Sequence, residues 1–155
     1  MLAVKNYSQQ YIDECREKIN LLLSTYKDLV TTSKEQGGSD NAKLNSAIEM
    51  FEPNFFNNML LALNDYFLHR MRGLEKKDGN PLNEVRILCD SIMNNNSKMG
   101  SDKTIKYEPA KSVLKYKVGD EIKLYEKDFE LISEGFFNEI EKSFYEFKLF
   151  LRQCI

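Results

Sequence analysis

Asp65 and His69 stand four residues apart in DYFLHRMRGLEKKDGNPLNEVRILCDS, and on a helix that spacing sets a carboxylate beside the one imidazole of the chain. An Asp next to a histidine orients the ring and raises its basicity, which is what a general base requires. Arg72 follows within another turn, where a cation would hold an anionic substrate. No nucleophile accompanies them. No serine occupies a GxSxG elbow, and Cys89 lies among apolar neighbours that suit a buried core thiol. The other reading of these three residues, which the lone histidine without a nucleophile favours, is a network of ion pairs fixing the end of a helix.

Four cations, Arg70, Arg72, Lys76 and Lys77, precede Asn80 and Pro81, which read as the N-cap and first position of a new helix. The first N–H groups of a helix are unpaired and its dipole favours negative charge, so this arrangement suits a phosphate or a carboxylate. Asn83 and Glu84 can bond back to the preceding loop, and Arg86 and Asp90 form an i, i+4 pair. The stretch GLEKKDGNP lacks the GxxxxGK[ST] pattern of a P-loop. The candidate ligand site is therefore Asp65, His69, Arg70, Arg72, Lys76, Lys77, Asn80, Asn83, Glu84, Arg86 and Asp90. Its rival is a hydrogen-bonded corner whose basic residues are simply solvated.

Residue counts exclude several chemistries. With one histidine the chain cannot supply the ligand sets of hemerythrin-type or ferritin-type metal centres, and no EXXE pair marks a carboxylate site for magnesium before the third helix. No cofactor is implied. The formal charge of −2 argues against a global field for nucleic acid or an anionic bilayer, and the Tyr–Lys alternation in KYEPAKSVLKYK is what any half-exposed hairpin would carry. Cys15, Cys89 and Cys154 are odd in number and widely spaced, as expected of reduced thiols in a cytoplasmic protein. The opening MLAVKNYSQQ has too short an apolar run for a signal peptide, and nowhere do eighteen apolar residues run together, so no membrane segment is expected.

The elements that must position these residues follow from periodicity. At 155 residues, with 42% hydrophobic and 30% charged residues, one domain with its own core accounts for the whole chain. Ile12, Cys15, Ile19, Leu22, Tyr26 and Leu29 form one stripe of a first helix from about Ser8 to Lys34. After GGSD, a second helical segment begins near Asn41, and Pro53 predicts a break at Phe51–Glu52. From there Phe56, Met59, Leu60, Leu63, Phe67 and Met71 hold a helical period to Arg72, in what should be the most buried helix. A third helix runs from Pro81 to about Asn94.

Alternation changes near residue 104. Ile105, Tyr107, Val113, Ile122 and Leu124 alternate with polar residues as in a small β-hairpin over about 104–125. Phe129, Ile132, Phe136, Ile140, Phe144 and Phe147 then predict a last helix from about Lys127, with Phe137, Leu149, Phe150 and Leu151 widening its apolar surface enough to offer a homodimer interface.

HRMRGLEKKDGNPLNEVRILCDS, DKTIKYEPAKSVLKYKVGDEIKL and FFNEIEKSF together resemble small bacterial proteins of uncharacterised function, over about Phe51 to Phe144. The resemblance implies a bacterial, soluble, helix-rich protein and assigns neither activity nor ligand. The expectation is a mainly α chain, a bundle of four to five helices with a small β-hairpin before the C-terminal helix. It acts as a noncatalytic protein binding a small anionic ligand or a partner. The alternatives are a metal-independent enzyme with His69 as general base and a dimerising interaction module.

Overall fold

The computed structural model describes residues 2–38 and 41–145. Five helices follow in order: α1 (Gln9–Gln36), α2 (Asn41–Tyr66), α3 (Arg72–Glu75), α4 (Pro81–Asn94) and α5 (Glu126–Phe144). Ser8 starts α1 by accepting the Tyr11 amide on its hydroxyl, and Asn80 starts α4 by accepting those of Leu82 and Asn83. Each meets two needs at once, satisfying orphan donors and stopping the chain from winding further back. The α5 start is a reciprocal cap, in which the Asp128 carboxylate accepts the Tyr125 amide.

The core lies where α2, α4 and α5 meet, with α1 laid against α2 and α5. Ile12, Cys15, Ile19 and Tyr26 enter it from α1, as the stripe predicted. Leu22 and Leu29 do not; they are 42% and 60% exposed. The reason is length. Lys27 pairs with Glu126 and Glu130 at the start of α5, so beyond that level α1 has only α2 beside it. No described residue from 27 to 52 is buried.

Pro53 does not break the chain: α2 runs through it without interruption. A proline inside a helix removes one ladder donor and crowds the carbonyl four residues back, but here Pro53 is buried and the apolar face continues beside it as Phe56, Met59, Leu60 and Leu63. The most enclosed helix is α4 rather than α2, since Leu82 to Val85, Ile87 to Cys89 and Ser91 are all buried in its fourteen residues. On α5 the predicted stripe of Phe129, Ile132, Phe136, Ile140 and Phe144 is buried, and Phe137 joins it. Phe147, Leu149, Phe150 and Leu151, on which the dimer expectation rested, lie outside the described residues.

The predicted hairpin over 104–125 is not there. Among the described residues no strand forms, and Lys98–Glu121 is an isolated antiparallel bridge. Backbone donors that a ladder would have used go elsewhere. The amides of Val113 and Leu114 donate to the Glu84 carboxylate at 2.7 and 2.8 Å, and that of Lys115 to Ser112 Oγ at 2.9 Å. Tyr107 donates its hydroxyl to the Tyr116 carbonyl. The segment is an irregular wrap whose apolar residues, Ile105, Ile122 and Leu124, still reach the core.

Two more contacts tie the ends together. Val4 pairs with the chain around Arg70, donating to the His69 carbonyl and accepting from Met71, both at 2.8 Å. Tyr7 donates its amide to the Phe144 carbonyl at 2.7 Å.

Candidate functional site

α2 ends at Tyr66, short of the Arg72 to which periodicity carries it, because the chain folds back through a turn at 67–69. Arg70 holds that turn from beneath. Its Nη1 donates to Asn64 Oδ1 and to the Phe67 carbonyl, both at 3.0 Å, so the guanidinium satisfies the end of the helix it follows. Arg70 is 2% exposed. A charge so buried needs a counterion, and Glu75 is that partner, its Oε2 lying 3.2 Å from Arg70 Nε in an ion pair outside hydrogen-bond geometry.

Glu75 is the centre of the corner. From α4, Arg86 grips it with both oxygens engaged, Nε to Oε1 at 2.9 Å and Nη2 to Oε2 at 2.5 Å. Asn83 Nδ2 adds a bond to Oε1 at 3.2 Å and another to the Lys76 carbonyl, while its Oδ1 accepts the Gly79 amide. Burial by itself would raise the Glu75 carboxyl, but the Arg86 hydrogen bonds and the Arg70 and Arg86 charges outweigh it, and it ends below its usual range. Burial lowers the Arg70 guanidinium to about 10, with Glu75 opposing.

The rest of the turn is built the same way. Asn80 Nδ2 donates to the Glu75 carbonyl and to Asp78, so the residue that caps α4 also closes the loop leading to it. Lys76 adopts a left-handed φ of 64°, and Gly79 one of 86°. A Cβ on Gly79 would stand 2.4 Å from the Lys106 carbonyl oxygen. Gly79→Ala is therefore expected to cost about 1–3 kcal/mol through combined φ strain and backbone displacement, read from the urea midpoint.

Glu84, 1% exposed, uses both oxygens on the 113–114 amides, so it clamps the wrap against α4. Burial pushes its carboxyl above the usual value, and the two amide bonds only partly reverse that. Cys89 donates to the Leu60 carbonyl, and burial pushes its thiol up to about 12, the mark of an unreactive core cysteine.

Beside this corner opens a cleft of about 1110 Å³ between the C-terminal half of α2, the outer face of α4 and residues 100–102. Four of the eleven sequence-predicted residues line it: Asp65, Arg72, Arg86 and Asp90. Arg70, Asn80, Asn83 and Glu84 are instead consumed within the fold by the bonds above. Lys76 and Lys77 are exposed on the turn and do not line the cleft, and neither does His69. His69 and Asp65 do not share a helix, since α2 has ended before His69.

Asp102 is the added member of the lining, 3.9 Å from Arg72, with its own oxygen accepting from Thr104. Glu75, which lies behind the lining, escaped sequence reasoning too. Its signal was a single carboxylate inside a run of four cations, Arg70, Arg72, Lys76 and Lys77. Among the described residues no group of three or more His, Cys, Asp or Glu side chains is placed to hold a metal ion. No described helix is long and apolar enough to cross a membrane.

Fold and cleft together define a mainly helical chain with a charged, open groove beside a buried ionic corner. Compared with known proteins, the chain matches no family model, no curated protein and no solved structure.

Proposed function

We propose that the protein is a noncatalytic binding protein whose cleft between α2 and α4 takes a small ligand by an anionic group, with Arg72 and Arg86 as its cationic contacts. The observation that carries this is the state of the two guanidinium groups. Arg72 is about half exposed at the cleft and pairs only loosely, at 3.9 Å, with Asp102. Arg86 spends Nε and Nη2 on Glu75 and lines the cleft, and among the described residues its Nη1 has no hydrogen-bond partner. A guanidinium immobilised on one edge presents the other without further ordering cost, which favours anions that offer it paired oxygens, such as carboxylate or phosphate. The position of His69, on the turn outside the cleft, supports binding over base catalysis.

Saturating inorganic phosphate or acetate is expected to raise the melting temperature of the wild-type chain by mass action, and Arg72→Gln to abolish at least nine-tenths of that rise while leaving the ligand-free melting temperature unchanged. An equal rise in both proteins sinks the assignment, as does no rise in either.

A further inference from the structure

Among the described residues the cleft carries more negative than positive side chains, which an anion site alone does not explain. Asp65 on α2 and Asp90 on α4 are both exposed and line the same cleft as the two arginines. Neither forms an ion pair among the described residues; Asp90 accepts only from Asn94 Nδ2, at 2.7 Å. Two uncompensated carboxylates facing one concavity, whose apolar walls focus their field, repel a polyanion and attract a cation. The arginines do the reverse. A ligand satisfying both sets carries separated opposite charges.

Its size and shape narrow the class. A volume of about 1110 Å³ exceeds what a single amino acid fills and suits a drug-sized molecule. Among the described residues no aromatic side chain lines the cleft, so a nucleotide base would find no ring there to stack on, and its phosphates would meet Asp65, Asp90 and Asp102. Leu61, Leu68, Ile87 and Met93 give apolar walls, and Asn64, Asn94 and Asn95 add amides, each with one end already bonded within the fold. Amide groups pair with amides, and apolar walls take aliphatic side chains.

Building on the anion contact proposed above, we infer that the ligand is a short peptide with free termini, its C-terminal carboxylate held by Arg72 and Arg86 and its N-terminal ammonium by Asp65 and Asp90. The test is isothermal titration of the full chain with the tripeptide Ala-Leu-Ala, its N-acetyl form, its C-terminal amide, and inorganic phosphate. The free peptide is expected to bind at least tenfold more tightly than either blocked form. In the doubly substituted chain, Asp65→Asn with Asp90→Asn, its affinity should fall to that of the acetylated peptide, whose own binding stays put.

Equal binding of the free and acetylated peptides overturns the ammonium site and leaves the anion contact intact. Binding of phosphate with none of the peptides does the same. Equal binding of the free and amidated peptides removes the carboxylate contact at Arg72 and Arg86, and both proposals fall with it. A silent titration against all four probes overturns both as well.

Discussion

Glu75→Gln is expected to lower the free energy of unfolding by about 3–5 kcal/mol, since it leaves Arg70 as a buried charge with no counterion. Both side chains of that pair are completely buried, so water cannot take over from the lost carboxylate. Urea denaturation at pH 7 measures the loss, and a change below about 1 kcal/mol would show that the pair is not held as described. The effect also has a pH signature. The folded-state pKa of Glu75 lies below its unfolded value, so its contribution is present above the unfolded value, near 4.3, and disappears as pH falls through the folded one.

The gap between wild type and Glu75→Gln should therefore close in acid. Glu84 has the opposite sign. Its folded pKa is raised, so its contribution is present below the unfolded value and is lost as pH rises through the folded one. Repeating the urea titration of Glu75→Gln and wild type at descending pH isolates the first effect, because Glu84 is common to both chains.

Phe67→Ala is expected to cost about 3–5 kcal/mol, the range for deleting a fully buried aromatic ring. Phe67 is 0% exposed and lies at the turn where α2 ends. Around it stand Tyr7 at 4.9 Å, Tyr11 and Phe136 at 5.6 Å and Phe137 at 6.0 Å between ring centroids, mostly edge to face. Three segments distant in sequence meet on that one ring, so the cavity cannot collapse without moving the N-terminal segment, α1 or α5. The Phe67 carbonyl also receives Arg70 Nη1, which ties the ring to the ionic corner. An unchanged denaturant slope with a lowered midpoint would mark the loss as one of stability alone, and a shift of less than about 1 kcal/mol would contradict the packing.

What could be read from sequence was what local physics decides. Ser8 and Asn80 start helices because their side chains cap N–H groups two or three residues on, and Pro81 costs nothing at the first position. The Phe129–Phe144 stripe is buried because every third or fourth residue returns to one side of a helix. Such features depend on neighbours within a turn or two.

The candidate site was legible only as a composition of charges, and the structure sorted them. Arg70, Asn83 and Glu84 are as polar in sequence as Arg72, Asp65 and Asp90, yet the first three are spent inside the fold and the last three line a cleft. Nothing within a turn of Arg70 says that Glu75 and Leu82 will close over it.

The hairpin fails for the same reason. Alternation at 104–125 is compatible with a strand, but the carboxylate of Glu84, about thirty residues earlier, takes the 113 and 114 amides, and a ladder loses its donors. By itself the sequence determined the starts of α1 and α4 and most of the face that α1, α4 and α5 each bury, because those are set by spacing and capping along the chain; it did not show α3 or the passage of α2 through Pro53. Tertiary structure alone decided where α2 stops, which charges are counterions and which line the cleft, because a buried charge is settled by whichever partner reaches it through space.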